Sequence, residues 1–173
     1  MEHTTLGLEY NEAGNKHLIG YSDADWGGDL AERKSTSGYV FLLAGGAISW
    51  SSKKQSTVAL STTEAEYIAM CHASKEAIWL RQLLADINYK ILGPTSIYGD
   101  NQGCIALSKN PSDHARTKHM DIKYHFVREK VEQQKIVLSF CPSEDMAADA
   151  FTKGLTKEKH QRLIKKIGTT NIS

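Results

Sequence analysis

The sequence predicts a single α/β domain with a mixed five-stranded sheet flanked by helices. Two observations lead to this fold class. In the first 50 residues, short apolar segments rich in Val, Ile, Tyr and Trp alternate with turn residues, as in consecutive strands. From about residue 62, long runs of helix-forming residues alternate with single short apolar segments. The resulting order is βββαβαβα, which is typical of a layered fold with both antiparallel and parallel strand pairs.

The first part of the chain contains three predicted core strands, at residues 18–22, 39–43 and 47–50. The dipeptide Gly45-Gly46 lies between the second and third segments and is a two-residue hairpin signal. An N-terminal strand is expected at residues 6–10, and residues 9–15 are expected to turn it into the first core strand.

The rest of the chain alternates between predicted helices and strands. The first helix is expected at residues 62–87, where the sequence contains neither Gly nor Pro. A strand at 95–98, a helix opening near residue 100, a helix at 117–134 and a strand at 136–140 follow. A last helix should begin near Ser143, and residues 156–173 are expected to form a basic amphipathic helix and a frayed tail.

Composition limits the possible classes of protein. The 173 residues are 40% hydrophobic and 24% charged, as in soluble one-domain proteins. The net charge of +1 gives no general attraction to nucleic acid, so such binding must come from local patches. No apolar run approaches the ~18 residues of a membrane span, and the N-terminus has no signal-peptide core, which indicates a cytosolic or nuclear protein. We expect the three cysteines to be reduced and mostly buried.

Acidic residues follow two of the predicted strands. Asp23 and Asp25 end the first core strand, and Asp100 ends the fourth. Functional sites in α/β sheets form at the carboxyl ends of parallel strands, so Asp23 and Asp100 would meet if these strands are parallel neighbours. The alternative is purely structural, with Asp100 capping the next helix and one of the first two acids serving a turn.

The first long helix carries two glutamates with different expected roles. The segment Ser61 to Glu64 fits a capping box, which gives Glu64 a structural role. Glu66 instead begins a stripe of small and apolar residues that should face the sheet: Ala69, Ala73, Ala77, Leu80 and Leu84. A buried carboxylate needs a cation or a hydrogen-bond donor, so Glu66 either serves a functional site or pairs with a Lys or Arg of the core.

The last predicted helix contains a fourth acid of this kind. Ser143, Glu144 and Asp145 suit a helix N-terminus, whereas Asp149 would lie in mid-helix among small apolar residues. Three or four carboxylates that converge at a strand edge suit Mg²⁺ or Mn²⁺, and two such ions about 4 Å apart suit phosphodiester hydrolysis. The candidate ligands are Asp23, Glu66, Asp100 and Asp149.

Six segments carry a resemblance to a known family. They are GYSDADWGGD, RKSTSGYVF, ISWSSKKQSTVALSTTEAEYIA, IYGDNQGCIAL, RTKHMDIKYHFVREKV and CPSEDMAADAFTKGL. In this order they strongly resemble the ribonuclease H domain of copia-type long-terminal-repeat retrotransposon Pol polyproteins. The resemblance covers residues 18–156. Residues 1–17 resemble the end of the preceding reverse transcriptase segment, and residues 157–173 would form a C-terminal basic helix and tail.

The resemblance implies a function and a set of partners. It implies the ribonuclease H fold and two-metal cleavage of the RNA strand of an RNA–DNA hybrid during reverse transcription, with two Mg²⁺ ions that Mn²⁺ can replace. Asp23, Glu66, Asp100 and Asp149 match the four family acids, with Asp23 expected to bridge the ions and Asp25 to support it or serve a turn. The reverse transcriptase of the same polyprotein would be a partner, and the location would be a cytoplasmic retrotransposon particle or the nucleus.

Substrate contacts are expected next to the acids. The N–H groups that open the first long helix form a natural phosphate site, and Asn101 and Gln102 could reach the minor groove of a hybrid. Helix capping and solvated lysines are the structural alternatives. A moderately basic surface is also expected between residues 109 and 135. The candidate substrate-binding residues are Lys53, Lys54, Ser61, Thr62, Thr63, Asn101 and Gln102.

One departure from the family pattern leaves other functions open. Many relatives have a His in the loop before the last acid, and the sequence here, KIVLSFCPSEDMAAD, has none. A catalytically weak or inactive nucleic-acid-binding module that depends on the reverse transcriptase is therefore an alternative. An integrase-type strand transferase is a third hypothesis, although the chain has no zinc-binding His/Cys segment.

Overall fold

The computed structural model describes residues 5–11, 16–29, 31–109 and 118–172, and only the backbone of Lys109, Lys118 and His119. Two 3₁₀ turns, Ser143–Asp145 and Ala147–Phe151, lie between the last core strand and the last helix. The strands and helices are β1 Thr5–Leu8, β2 Ile19–Asp25, β3 Thr36–Leu43, β4 Gly46–Lys54, α1 Thr62–Asp86, β5 Thr95–Gly99, α2 Gln102–Lys109, α3 Lys118–Glu132, β6 Ile136–Phe140, α4 Lys157–Lys166 and β7 Thr169–Ile172.

The core of the fold is a mixed sheet of five strands in the order β4-β3-β2-β5-β6. The pairs β2–β3 and β3–β4 are antiparallel, whereas β2–β5 and β5–β6 are parallel. The predicted fold class is therefore confirmed. Because β2 and β5 are parallel neighbours, the residues that end them lie at the same edge of the sheet.

The hairpin between β3 and β4 forms one residue earlier than the Gly45-Gly46 signal suggests. Leu43 pairs with Gly46, so the two turn residues are Ala44 and Gly45. Both have positive φ, 53° and 86°, as a type I′ turn requires. Gly46 is already the first residue of β4, which extends to Lys54 and is longer than predicted.

Helix α1 covers one face of the sheet through its alanine stripe. The side chains of Ala65, Ala69, Ala73 and Ala77 are fully buried, and Leu80 and Leu84 continue the contact. Small side chains allow the helix backbone to approach the strands closely, as the sequence pattern predicts. The helices α2 and α3 complete this layer, with Cys104, Ile105, Tyr124 and Val127 in the same core.

The opposite face of the sheet is covered by the two 3₁₀ turns and α4. Met146, Ala147 and Ala148 pack with Val40 and Leu42 in a second, smaller core. The prediction of a last helix that begins near Ser143 is wrong, because this segment forms two short 3₁₀ turns and the α-helix begins only at Lys157. Asp149 therefore lies in a 3₁₀ turn and not in mid-helix.

The two ends of the described chain pair with each other. Strands β1 and β7 form a separate antiparallel ribbon in which Thr5 pairs with Ile172 and Leu8 with Thr169. The N-terminal strand thus pairs with β7, and the expected frayed tail is wrong because residues 169–172 form a strand. Residues 12–15 of the predicted turn after the N-terminal strand lie outside the described residues. The end of α4 docks on the β3–β4 hairpin, since Ala47 N–H donates to the Ile167 carbonyl at 2.9 Å.

The amino-acid composition gave two predictions, one on the burial of the cysteines and one on membrane-spanning helices. Cys71, Cys104 and Cys141 are free and buried, as expected. None of the helices in the described residues is both long and apolar enough to cross a bilayer.

Candidate metal centre and active site

Three of the four predicted acids meet at the edge where β2 and β5 end. Asp23 lies within β2 and is fully buried, Asp100 directly follows β5, and Glu66 lies in the second turn of α1. One carboxylate oxygen from each residue lies within 4.8 Å of the other two. We call Asp23, Glu66 and Asp100 the acid triad. The parallel pairing of β2 and β5 brings together the two strand acids, as predicted.

The first turn of α1 fixes the position of Glu66. Ser61 is the N-cap and accepts a hydrogen bond from Glu64 N–H at 3.1 Å, while Glu64 Oε2 accepts from Leu60 N–H at 2.8 Å. Glu64 thus reaches one residue further back than in a standard capping box. Glu66 accepts from Ala24 N–H at 3.2 Å, beside Asp23. The two glutamates therefore differ in position as the sequence predicts: Glu64 caps the helix, whereas Glu66 lies beside Asp23.

A buried glutamine that the sequence reasoning missed ties α1 to β3. Gln55 is 2% exposed, and its Nε2 donates to Ser37 Oγ at 2.8 Å and to the Ala65 carbonyl at 2.9 Å. The second bond holds the helix backbone next to Glu66. Gln55 follows a lysine pair in the sequence, so no local pattern distinguishes it from a solvent-exposed residue.

The three acids of the triad cannot all ionise easily in the metal-free chain. Burial, followed by the charges of Asp23 and Asp100, raises the pKa of Glu66 to about 9. Burial also raises the pKa of Asp23 to about 6, although the Thr152 hydroxyl and the Lys153 ammonium act in the opposite direction. Carboxylates in this state bind a cation with a gain in free energy, since the cation removes the repulsion between them.

The donor set of the triad fits a hard divalent cation. All three ligands offer oxygen, which Mg²⁺ and Mn²⁺ prefer. The three ligand oxygens lie within 4.8 Å of one another, and oxygens of an octahedral Mg²⁺ shell are at most ~4.2 Å apart, so the side chains would move closer together around a bound ion. No His or Cys belongs to this cluster among the described residues, which argues against zinc.

Asp149 lies near the triad but is held by lysines. Its side chain is 1% exposed and forms ion pairs with Lys153 at 3.0 Å and Lys159 at 2.7 Å. Lys153 also reaches Asp23 Oδ1 at 3.3 Å, so its ammonium connects the two carboxylates. Within the described residues Asp149 is not part of the three-acid cluster. Its role as a metal ligand remains a prediction.

Two hydroxyl groups position the triad. Ser143 Oγ donates to Asp100 Oδ2 at 2.7 Å, and Thr152 Oγ1 donates to Asp23 Oδ2. Sequence reasoning assigned Ser143 only to a helix cap and did not identify Thr152 or Lys153 at all. The one local signal was that Thr152 and Lys153 follow Asp149 by three and four residues, within one turn of a helix.

The predicted substrate-binding residues at the helix starts lie together. Asn101 Oδ1 accepts from Cys104 N–H at 2.9 Å and so caps α2, a role that the sequence argument had given to Asp100 as an alternative. A side chain at Gly103 would lie 3.7 Å from Thr63 Oγ1, so the starts of α1 and α2 are neighbours. Thr62 and Gln102 are exposed beside them.

The two lysines of β4 differ in their surroundings. Lys53 is exposed at the end of the strand, whereas Lys54 forms ion pairs with Asp29 and, at 3.8 Å, with Glu32. Asp25 lies against Gly28, where any larger side chain would overlap its carboxylate, which fits the turn role. Of the predicted basic surface, residues 110–117 lie outside the described residues.

Comparison with known proteins adds relatives of known origin. The chain is 46% identical to the retrovirus-related Pol polyprotein from transposon TNT 1-94 of Nicotiana tabacum, over 144 residues that are 83% of the chain. It is 39% identical over 166 residues, 96% of the chain, to the Pol polyprotein from transposon RE1 of Arabidopsis thaliana. The chain is a homologue of copia-type retrotransposon Pol polyproteins. It spans 11% of the length of these two relatives.

Solved structures identify the fold of this Pol homologue. LC11-RNase H1, isolated from compost by a metagenomic approach, matches with a TM-score of 0.60 and 18% identity over 86% of this chain and 98% of that one. The same protein in complex with an RNA/DNA hybrid matches with a TM-score of 0.57 and 16% identity, over 78% of this chain and 93% of that one. No protein-family model matches the chain. The Pol homologue therefore has the ribonuclease H fold.

Proposed function

We propose that the chain is a divalent-metal-dependent ribonuclease H that cleaves the RNA strand of RNA–DNA hybrids during retrotransposon reverse transcription. The observation that carries the proposal is the convergence of Asp23, Glu66 and Asp100 at the edge of this sheet. The homology to Pol polyproteins and the hybrid-bound structural neighbour support the same reaction class. The finer part of the proposal is that two Mg²⁺ ions take part and that Mn²⁺ substitutes for them.

The residues have distinct proposed roles. Asp23, Glu66 and Asp100 would hold one divalent cation, and Asp23 and Asp149 a second, so that Asp23 is shared. When bound, such cations would supply an activated water and neutralise charge on the scissile phosphate. Ser143 and Thr152 orient the carboxylates through their hydroxyl groups. Hydrolysis by water leaves a 5′ phosphate and a 3′ hydroxyl and needs no nucleophilic side chain.

Substrate binding is proposed for the surface that surrounds the triad. The starts of α1 and α2 offer backbone N–H groups and the polar side chains of Thr62, Thr63 and Gln102. Lys53 is the more available of the two β4 lysines, because Lys54 is already paired with Asp29. This surface suits the phosphates and 2′-hydroxyls of an A-form-like hybrid.

A cleavage assay tests the proposal directly. The purified chain would be incubated with an end-labelled RNA–DNA hybrid in Mg²⁺, in Mn²⁺ and in chelator, with Asp100→Asn as the matched variant. We expect metal-dependent loss of the RNA strand for the wild-type chain and none for Asp100→Asn. Cutting of DNA duplex would favour the strand-transferase class, whereas an intact hybrid in every metal would contradict the proposal for the isolated chain.

A second candidate function is a binding module that acts only with the reverse transcriptase. Two observations favour it. Lys153 lies between Asp23 and Asp149, and the loop before Asp149 contains no His. The fold also matches part of the prototype foamy virus protease–reverse transcriptase, with a TM-score of 0.53 and 14% identity, over 93% of this chain and 22% of that one. Hybrid binding without cleavage by the isolated chain, with cleavage by a reverse-transcriptase-linked form, would identify this case.

A further inference from the structure

Lys153 is the cation that joins the two most deeply buried acids. Its Nζ lies 3.3 Å from Asp23 Oδ1 and 3.0 Å from Asp149 Oδ1, and both acidic side chains are only 1% exposed. Within the described part of the chain, no other lysine or arginine forms an ion pair with Asp23. Lys153 pairs with Asp149, four residues before it, and also with Asp23 of β2. It therefore connects β2 to the second 3₁₀ turn.

The ammonium of Lys153 offsets a large electrostatic cost. Two carboxylates buried next to each other without a cation would each cost several kcal/mol. The Lys153 ammonium lies within ion-pair distance of both carboxylates, 3.3 Å from Asp23 and 3.0 Å from Asp149. A lysine carries a positive charge at neutral pH, and its position between the two carboxylates gives it the role that a bound metal ion would otherwise have.

We propose that Lys153 is an intramolecular counter-cation that makes the two metal positions unequal. The acid triad is open to one divalent cation, whereas a cation between Asp23 and Asp149 binds only after it displaces the Lys153 ammonium. This inference rests on the proposed function, because it concerns the second of the two proposed ions. It predicts that the substrate-free chain binds one divalent cation tightly and a second one weakly.

The surroundings of Lys153 allow this displacement. Its side chain is 37% exposed, so the ammonium can move into solvent or toward a substrate phosphate. After it leaves, Asp149 keeps the ion pair with Lys159 at 2.7 Å, and Asp23 keeps the hydroxyl of Thr152. Neither carboxylate is then without a partner, which keeps the free-energy cost of the exchange low.

The test is a titration of the substrate-free chain with Mg²⁺ and Mn²⁺. Isothermal calorimetry would give the number of ions and their affinities for wild type, Lys153→Met and Lys159→Met. Met preserves the length and the packing of the stem without the charge. Lys159→Met is the matched control, since it removes a charge from Asp149 but not from between the two acids.

We expect Lys153→Met to bind the second ion at least about tenfold more tightly than wild type. If the ammonium occupies the second position in nine wild-type molecules of ten, only one in ten is free to bind the ion, and the apparent affinity is about tenfold lower. Lys159→Met should tighten the binding less than Lys153→Met, because Lys159 pairs with Asp149 and not with Asp23. Equal tightening in both variants, or no change in Lys153→Met, would overturn the inference. If Lys153→Met does not fold, Lys153→Gln takes its place, with thermal unfolding in chelator as the check of folding.

The outcome separates this inference from the proposed function. Cleavage of hybrid by the wild-type chain is measured in parallel and tests the function without reference to Lys153. A wild-type chain that cleaves hybrid while Lys153→Met shows wild-type metal binding would refute only the role of Lys153. If neither chain binds a divalent cation and no hybrid is cleaved, both proposals fail.

Discussion

The backbone N–H of Ala24 donates a hydrogen bond of 3.2 Å to Glu66 Oε1. This contact joins β2 to α1 at the residue that follows Asp23, so the strand that carries one acid also orients the next. The same strand is the parallel neighbour of β5, which ends one residue before Asp100. A single strand thus organises the acid triad.

The two glutamates at the start of α1 give the first prediction. Glu66→Gln should reduce hybrid cleavage more than about 100-fold, because even residues that only orient metal ligands cost 10- to 100-fold when changed. Glu64→Gln should remain active and lose about 0.3–1 kcal/mol of stability through its position at the helix N-terminus. Cleavage rates and thermal unfolding of both variants would check this. An inactive Glu64→Gln beside an active Glu66→Gln would show that the helix-face assignment is wrong.

The second prediction is a pH dependence of the metal-free chain. The pKa of Glu66 is raised from 4.5 to about 9, and that of Asp23 from 3.8 to about 6. Between the unfolded and the folded pKa values, the folded state holds protons that the unfolded chain has released. Proton binding therefore stabilises the folded state fully at low pH, and this contribution to stability is lost as the pH rises toward 9. In thermal unfolding with chelator present, the midpoint temperature should decrease as the pH is raised from 5 to 9.

Glu66→Gln is the control for this pH dependence. Its neutral amide replaces the protonated acid, so its midpoint in chelator should fall less with pH than that of wild type. At pH 9 the variant should be the more stable protein by at least about 1 kcal/mol, or about 2–4 °C. Added Mg²⁺ should stabilise the wild type more at pH 9 than at pH 5, because the metal binds ionised carboxylates. Parallel pH profiles for the two chains would contradict the assignment.

The third prediction concerns Ser143, whose hydroxyl holds Asp100 at 2.7 Å. Ser143→Ala should weaken divalent-cation binding about tenfold, since partners that orient metal ligands typically contribute 10- to 100-fold. Cleavage should fall at limiting Mg²⁺ and recover at saturating Mg²⁺. The control is Ser139→Ala on β6, which should leave the metal titration unchanged. Equal metal titrations for both variants would remove Ser143 from the site.

The fourth prediction tests how the chain ends dock on the hairpin. Gly168 has a φ of +90°, and a side chain there would lie 2.6 Å from the Gly45 carbonyl oxygen and 2.7 Å from Gly46 Cα. Gly168→Ala should therefore cost about 2–4 kcal/mol through backbone strain and overlap. Gly154→Ala is the control, because a side chain there meets no atom within 4 Å. Denaturant unfolding of both variants would check the difference.

Much of the acid triad could be predicted from the sequence because its members lie in strongly patterned segments. The strand ends place Asp23 and Asp100, and the alanine stripe fixes the face of Glu66. The parallel pairing of β2 with β5 was only a condition of the sequence argument, and the structure meets it. Strand ends and helix periodicity thus indicated the three carboxylates that lie together.

The remaining features depend on contacts that no local pattern encodes. The segment around Asp149 contains good helix formers, yet Met146 and Ala147 are buried against the sheet, and this packing favours 3₁₀ turns over the helix. The ion pair between Lys153 and Asp23 joins residues 130 positions apart. The partners Thr5 and Ile172 are separated by almost the whole chain.

The β1–β7 ribbon determines how the protein would respond to mechanical load. Thr5 and Ile172 are partners at the same end of the ribbon, so tension applied through the two chain ends opens its hydrogen bonds one after another, as in unzipping, instead of shearing them together. Unzipping needs less force than shearing, because each bond breaks alone. In a single-molecule pulling experiment the ribbon would therefore yield first, as a small initial extension, while the five-stranded sheet and the acid triad remain intact.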